Sequence, residues 1–352
     1  MHYKQVENNP KVSYQHWATY QGQKIFRFRI QNNKGSFVEL INYGATLAAI
    51  VVPDRLGNPG NVILGFDSFE GYLQDHCYIG STVGRFANRI SDASFKLNDE
   101  TFKLEKNDGA NTNHGGFSGF NTQIFDFNIL DDEIHFMLNS KDGEGGYPGN
   151  LNFIVSYSFS NEDELRIQYS AQTDRKTVVN FTNHAYFNLS SESSGIMAHE
   201  LQIESAHVLE ADAAYLPTGK IIPAGTLTFK GQKIETCLAG ADLKGLNTFY
   251  IFNPLNSCRK AAVLSHPATG RSLTIRTSYP GLMLYTGDYL TSTLPGYHGV
   301  PYQPFDGLCI ECQDYPDSPN HANFPSAVLE PGMHYQQYIH LKFSTGNSCP
   351  ES

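Results

Sequence analysis

Short runs of β-branched and aromatic residues, separated by turn residues, restrict the fold of this chain more than any other feature. Lys24–Ile30 is typical, with apolar residues at 26, 28 and 30. Similar runs recur at Phe37–Ile41, Thr46–Val52, Phe95–Leu97, Thr101–Leu104, Glu133–Leu138, Phe153–Phe159, Glu164–Ser170, Glu200–Glu204, Ser272–Thr277 and Tyr335–Phe343. Many short strands without helical segments between them favour antiparallel sheets over an alternating α/β fold. We therefore expect an all-β antiparallel sandwich or barrel.

Helical periodicity is scarce. The best short candidates, Ser68–Gln74 and Ala239–Lys244, lack the sustained apolar repeat that predicts an amphipathic helix. Turn residues mark the ends of strands, for example at Asn253–Asn256. No composition shift, linker or internal repeat divides the 352 residues. We predict one domain over residues 1–352, with loose ends at about 1–9 and 345–352.

Composition excludes several classes of function. The chain has 25 Lys+Arg against 35 Asp+Glu, a formal net charge of −10, which is unfavourable for binding nucleic acid or an anionic membrane surface. No run approaches the roughly 20 apolar residues that a membrane span needs, and the first ten residues do not resemble a secretory signal. Six scattered cysteines are too few for a disulfide scaffold. These features predict a cytoplasmic protein with a small-molecule partner.

The segment from Asn180 to Leu189 is the strongest candidate for a site. Strand alternation places Phe181, Ala185, Phe187 and Leu189 on one face and Thr182, His184, Tyr186 and Asn188 on the other. The first face suits a core. The second suits a wet cleft lined by hydrogen-bonding groups, although a solvent-exposed face that happens to carry a histidine is an equally good explanation of the pattern alone.

A second candidate is the carboxylate of Glu311, which lies within the apolar run Gly307–Gln313. Alternation places Leu308, Ile310 and Cys312 opposite Cys309, Glu311 and Gln313. A carboxylate in such a run is rarely buried without a purpose, but a charge on an edge strand that discourages aggregation is the alternative. Cys309 and Cys312 should point to opposite faces, which favours structural thiols over a zinc site.

Two further motifs carry polar groups. Gly84–Ile90 contains Arg85, Asn88 and Arg89, which could grip hydroxyls or a carboxylate or could form surface ion pairs. Asn88 and Arg89 can reach one site only if the strand bends there. Asn113–Gly116 has glycines that permit close approach of the backbone, beside His114. Motifs for nucleotide binding, for zinc proteases and for serine hydrolases are lacking.

Taken together, these segments resemble the aldose 1-epimerase family. The matching motifs, in chain order, are Asn42–Ala45, Gly84–Ile90, Asn113–Gly116, Asp142–Gly149, Thr182–Leu189, Glu311–Asn320 and Asn323–Pro325. The resemblance covers about residues 20 to 344. It implies an antiparallel β-supersandwich, no metal or organic cofactor, and interconversion of the α and β anomers of a free aldose.

The resemblance also implies roles for individual residues. The general acid would be His184 and the general base Glu311, and the substrate contacts would be Asn88, Arg89, His114 and Tyr186. To stay protonated near neutral pH, His184 would need its pKa raised modestly, and either Glu311 or a hydroxyl of the ligand could provide that. The oligomeric state, monomer or homodimer, stays open.

Two positions depart from the family pattern. Asn247 stands where the family usually has an aspartate, and Met283 where it usually has a glutamine. Both changes concern substrate binding, so we expect retained mutarotation with an altered or relaxed sugar preference.

The alternatives are a carbohydrate-binding or regulatory protein without turnover, and a sugar-phosphate mutarotase, which would need a basic cluster at the cleft. A glycosidase would need two catalytic carboxyls, and the sequence nominates one, since Asp314 and Asp317 lie in a turn-like stretch.

Overall fold

The computed structural model describes residues 4–6, 9–192, 194–252 and 258–346, and most of their regular structure is β-strand. The strands up to residue 140 are β1 (Lys4–Val6), β2 (Asn9–Tyr20), β3 (Gln23–Gln31), β4 (Phe37–Ile41), β5 (Thr46–Pro53), β6 (Pro59–Asn61), β7 (Thr82–Val83), β8 (Arg89–Ile90), β9 (Ser94–Leu97), β10 (Glu100–Lys103), β11 (Thr112–Asn113), β12 (Asp126–Leu130) and β13 (Glu133–Ser140). Those that follow are β14 (Leu151–Phe159), β15 (Glu164–Thr173), β16 (Thr177–Val178), β17 (Thr182–Asn183), β18 (Tyr186–Phe187), β19 (Glu200–Ile203), β20 (His207–Ala211), β21 (Pro217–Pro223), β22 (Lys230–Lys233), β23 (Asn247–Ile251), β24 (Arg259–His266), β25 (Arg271–Thr277), β26 (Gly281–Tyr285), β27 (Leu308–Gln313), β28 (Val328–Leu329) and β29 (Tyr335–Thr345).

Helices are short in the described part of the chain. The α-helices are α1 (Phe69–Leu73) and α2 (Ile234–Gly240), and the 3₁₀ turns are Ser91–Ala93, Phe120–Thr122, Glu144–Gly146, Gly225–Leu227 and Ser318–Asn320. None of these helices is long and apolar enough to cross a membrane.

The secondary structure agrees with the sequence-based prediction. Each of the eleven runs of β-branched and aromatic residues is present as a strand, with ends that agree to within three residues, and α1 falls inside Ser68–Gln74. The strand alternation assumed across Asn180–Leu189 is interrupted, because β17 and β18 are two short strands of different sheets. The second helix begins five residues before its predicted position. The turn predicted at 253–256 lies outside the described residues, and so do most of the predicted loose ends, although Lys4–Val6, Asn9 and Thr345 lie in strands.

The strands form three large antiparallel sheets and several two-stranded pairs. The first sheet contains β1 to β6 in chain order, and the second has the order β12-β13-β14-β15-β29-β25-β24-β19-β22. The third has the order β18-β27-β26-β23-β20-β21. The insertion of β29 between β15 and β25 joins the middle of the chain to its later part.

Alternation of side chains explains how the sheets pack. Along Leu151–Phe159 every second residue is buried, while the residues between them are at least partly accessible. Apolar side chains from all three large sheets, among them Phe28, Ile167 and Leu282, form one continuous core cluster. Each such side chain contributes roughly 1.5–3 kcal/mol when fully buried. The predicted all-β sandwich is therefore confirmed.

Candidate active site

Four adjacent strands of the third sheet, β18, β27, β26 and β23, present a row of side chains on one face. In their register Tyr186 pairs with Cys309, Cys309 with Tyr285, and Tyr285 with Asn247. The neighbouring row runs from Glu311 through Met283 to Phe249. Directly opposed residues share a face of a sheet. The register therefore brings Tyr186, Glu311, Met283 and Asn247 to one patch.

Two loop segments cover this patch from the other side. Asn88 adopts a left-handed conformation with φ of 66°, so the chain bends there as the sequence analysis requires. Arg89 then pairs with Asn113 between β8 and β11. At Gly115 an added Cβ atom would lie 2.1 Å from the carbonyl oxygen of Gly84, so only glycine allows these two segments to approach so closely.

These elements enclose a cavity of about 670 Å³, a size typical of small-molecule sites. All eight residues predicted for the site line it: Asn88, Arg89, His114, His184, Tyr186, Asn247, Met283 and Glu311. The predicted set is thus brought together from segments more than 200 residues apart. A second cavity of about 360 Å³ shares Tyr78 and His76 with it and contains none of the eight.

His184 and Glu311 form a buried acid–base pair in this cavity. The imidazole Nε2 lies 3.7 Å from the carboxyl Oε1, and both side chains are more than nine-tenths buried. Burial raises the pKa of Glu311 to about 8, an effect that the charge of Arg89 partly opposes. Burial also lowers the pKa of His184 to about 4. The expectation that the pKa of His184 is raised is therefore wrong, because desolvation of the imidazolium outweighs attraction to a carboxyl that is itself favoured in its neutral form.

The two pKa values together fix how many protons the pair holds. Between about pH 4 and pH 8 the pair holds one titratable proton, and burial favours its presence on Glu311. Such a pair contains one proton donor and one acceptor throughout the neutral range, which is what concerted acid–base chemistry requires.

His114 is a hydrogen-bond donor to the cavity. The backbone N–H of Asn88 donates to its Nδ1 at 3.2 Å, so Nδ1 must be an acceptor and Nε2 carries the proton. Burial, together with the nearby His184 and Arg89, lowers the pKa of His114 well below its usual range, which keeps the ring neutral. One ring nitrogen each of His114 and His184 and one carboxyl oxygen of Glu311 lie within 4.8 Å of one another, as the ligands of one metal ion would. A protonated Nε2 suits a hydroxyl oxygen better than a metal ion, which needs a free lone pair.

Arg89 is held at the wall of the cavity by residues that sequence analysis did not identify. Its Nε donates to Asp108 Oδ2 at 2.7 Å, and its guanidinium lies 5.5 Å from the ring centre of Tyr215. Tyr78 packs 4.7 Å from the His114 ring. In the sequence, Asp108 is followed by Gly109, a pair typical of turns, and no pattern marks Tyr78 or Tyr215.

Comparison with known proteins agrees with this geometry. The sequence model of the family described as Aldose 1-epimerase matches residues 27–342. The galactose mutarotase of Mus musculus is 38% identical over 327 residues, which cover 92% of this chain and 95% of the relative. The chain belongs to the aldose 1-epimerase family.

Solved structures of the family share the fold. The aldose epimerase homologue from C. elegans superimposes with a TM-score of 0.85 at 29% identity, covering 91% of this chain and 98% of its own. Galactose 1-epimerase from Lactobacillus acidophilus gives a TM-score of 0.83 at 28% identity, with 96% and 99% covered. The β-supersandwich expected from the resemblance is thereby confirmed.

Some polar residues of the family motifs lie outside the cavity. Thr182 and Asn188 do not share the cavity face with His184, since they donate to the carbonyls of Cys312 and Asp306 at 2.9 and 2.8 Å. Asp317 accepts the backbone N–H of Ser91 at 3.0 Å, and Asp314 accepts the hydroxyl of Tyr335 at 3.3 Å. The two aspartates therefore close loops, as their turn-like sequence indicates.

The two positions that depart from the family pattern both line the cavity. Met283 is directly opposite Glu311 in register and belongs to a small apolar cluster with Leu209, Phe249, Tyr315 and Phe324. Asn247 is half-buried at the start of β23. The cavity wall is therefore apolar at Met283, where the resemblance leads one to expect a glutamine, and stays polar at Asn247.

Proposed function

We propose that the protein is an aldose 1-epimerase in which His184 and Glu311 catalyse the interconversion of the α and β anomers of a free aldose. The observation that carries the proposal is the buried contact of 3.7 Å between His184 Nε2 and Glu311 Oε1. It lies in the cavity that also contains Asn88, Arg89 and His114, which are suited to binding hydroxyls.

The reaction needs two proton transfers in each direction. Glu311 removes the proton of the anomeric hydroxyl while His184 protonates the ring oxygen, so the C1–O5 bond breaks and a C1=O1 carbonyl forms. Rotation about C1–C2 presents the other carbonyl face. Ring closure then returns both protons, from Glu311 to O1 and from O5 to His184. Each general acid or base step of this kind contributes roughly 10²–10⁴-fold.

The assigned roles require the proton of the pair to reside on His184, whereas burial favours its presence on Glu311. Both arrangements contain the same number of protons. A sugar hydroxyl that donates to the carboxylate, together with the positive charge of Arg89, stabilises the ionised form of Glu311. Binding of the substrate therefore shifts the proton towards the arrangement in which His184 is the acid.

A neutral monosaccharide such as galactose or glucose is the proposed substrate. Among the described residues that line the cavity, Arg89 is the single Lys or Arg, and it is paired with Asp108, so a phosphate group has no basic cluster there to bind it. Within the same described lining, Asp108 is the only carboxyl besides Glu311, and its contact with Arg89 argues against the two independent carboxyls of a glycosidase. A cytoplasmic location is supported by the five described cysteines, which are all unpaired.

Polarimetry of freshly dissolved α-galactose and α-glucose tests the proposal. The wild-type protein should accelerate the approach to the equilibrium rotation, and Glu311→Gln and His184→Asn should each remove most of that acceleration while the folded content stays unchanged. A protein that binds the sugar without accelerating the drift would be a carbohydrate-binding relative. Faster turnover of a hexose phosphate than of the free hexose would favour the sugar-phosphate alternative.

A further inference from the structure

The two nitrogens of the His184 imidazole face two side chains of the same strand. Nδ1 lies 3.4 Å from the sulfur of Cys309, and Nε2 lies 3.7 Å from Oε1 of Glu311. Residues i and i+2 of a strand share a face and are roughly 6.6–6.8 Å apart. The imidazole therefore fits lengthwise along β27, with one nitrogen at each of these two residues.

The thiol of Cys309 lies behind the imidazole and not in the cavity. It is fully buried and is not among the residues that line the cavity. Burial keeps the pKa of Cys309 well above its usual range, so the sulfur stays protonated and uncharged. A neutral thiol is a weak acceptor for Nδ1–H and a weak donor to an unprotonated Nδ1. It can thus partner the imidazole in either protonation state.

Contact with the thiol distinguishes two orientations of the ring that packing alone leaves similar. Side chains around His184 include Tyr78, His114 and Tyr186, with ring centres 5.8, 5.2 and 5.1 Å away, besides Cys309 and Glu311, and the ring also interacts with the backbone of His184 itself. Rotation of the imidazole by 180° would exchange each nitrogen with a carbon of similar size. Only hydrogen-bonding partners sense that exchange, and Cys309 is the side chain that does so at Nδ1, as Glu311 does at Nε2.

We propose that Cys309 is a positioning residue, whose sulfur holds Nδ1 of His184 so that Nε2 points to Glu311 and to the ring oxygen of the sugar. This role rests on the proposed function, because it matters for turnover only if His184 transfers the proton. The thiol of Cys309 is less polar than the carboxylate that commonly orients a catalytic histidine. It therefore leaves the neutral imidazole a poor base and the imidazolium a strong acid.

Substitution of the two buried cysteines of β27 tests the proposal. Cys309→Ala should lower kcat about 10- to 50-fold with KM changed less than threefold, whereas Cys309→Ser, which retains a donor and an acceptor, should restore kcat to within about fivefold of wild type. The matched control is Cys312→Ala. Cys312 is equally buried on the opposite face of the same strand, in the main core, so its loss should lower the melting temperature and leave kcat within twofold.

Imidazole nitrogen NMR of His184 provides a readout that does not depend on activity. The ring nitrogen shifts should change in Cys309→Ala, partly return in Cys309→Ser and stay constant in Cys312→Ala. If the wild-type protein had no mutarotase activity but the variants showed these shift changes, the proposed function would be refuted. The contact between Cys309 and His184 would still be supported. The positioning role would be wrong if Cys309→Ala kept wild-type kcat and shifts, if Cys309→Ser were no better than alanine, or if Cys312→Ala lost as much kcat.

Discussion

Arg85 and Arg89 lie four residues apart in one motif and have opposite roles. The Arg85 guanidinium is buried, and it donates to the hydroxyl of Ser140 and to the carbonyls of Lys141, Pro148 and Gly149. It thus holds the 140–149 loop and is not among the residues that line the cavity, so neither alternative left open by the sequence, ligand binding or a surface ion pair, describes Arg85. Arg89 is fixed by one Nε bond to Asp108 and lines the cavity. The difference shows that a guanidinium whose donors are used by fixed carbonyls is part of the scaffold.

Substituting each arginine by methionine should separate the two roles most strongly. Arg85→Met leaves several buried acceptors unpaired, and we expect it to destabilise the fold by about 3–5 kcal/mol. Arg89→Met should change stability by less than about 1 kcal/mol but lower kcat/KM roughly 10- to 100-fold through lost contact with the sugar. Urea unfolding and initial rates measure the two effects. If Arg89→Met lost more stability than Arg85→Met, the division between scaffold and site would be wrong.

The same division applies to two buried histidines. Burial lowers the pKa of both, to about 4 for His184 and to about 3 for His199. His184 lies 3.7 Å from Glu311, and both line the cavity. His199 accepts the backbone N–H of Leu189 at 2.9 Å and packs against His266 with ring centres 4.7 Å apart. A lowered pKa therefore does not distinguish the histidine that we propose as catalytic from a structural one. The carboxyl partner and the position in the cavity do distinguish them.

The pH dependence of turnover should reflect the pair in the cavity. The active pair holds one proton, so kcat/KM should fall below about pH 4, where both groups are protonated, and above about pH 8, where neither is. Each limb should reach a tenfold decrease per pH unit. Initial rates between pH 3.5 and 9.5 in matched buffers, corrected for uncatalysed mutarotation, measure it. His199→Asn is the control, with both limbs unchanged, and a single limb near pH 6.5 would contradict the assignment.

The pH dependence of stability should reflect His199 together with other buried histidines, because burial also lowers the pKa of His114 and of His184. The pKa of His199 is lower in the folded protein than in the unfolded chain, so the folded state binds fewer protons between those values. The contribution of His199 to stability is complete above the unfolded pKa near 6.5 and is lost as the pH falls from there towards 3, by up to about 1.4 kcal/mol per pH unit.

Urea unfolding at pH 7, 6 and 5 measures this loss. His199→Gln places an amide oxygen near the position of Nε2, where it can accept the Leu189 N–H, and it removes the titrating ring. It should therefore reduce the slope by the share of His199 while lowering stability at pH 7. An unchanged slope in this variant would show that the proton uptake occurs at other groups.

These contrasts also explain which features were predictable from the sequence. Alternation correctly placed Cys309 and Glu311 opposite Cys312, because the period of two is a local property of a strand. The meeting of His184 with β27, 125 residues later, was expected only through the family resemblance. Nothing local distinguishes Arg85 from Arg89, and no pattern pointed to Tyr215. The predicted direction of the His184 pKa shift was wrong, because the direction depends on how deeply the side chain is buried. Tertiary packing decides that depth.

The smallest effect concerns the apolar wall of the cavity. Met283 lies opposite Glu311 and among aromatic side chains, where a glutamine would add one hydrogen-bonding group. One net hydrogen bond contributes roughly 0.5–1.5 kcal/mol, so Met283→Gln should change the ratio of kcat/KM between sugars by about 2- to 10-fold. Relative rates on galactose, glucose, xylose and arabinose measure the change. Leu284→Met is the control, since Leu284 lies on the same strand in the main core. If Met283→Gln changed all four rates by one common factor, Met283 would support the position of Glu311 without discriminating between sugars. A changed ratio would show that the wall itself contributes to sugar preference.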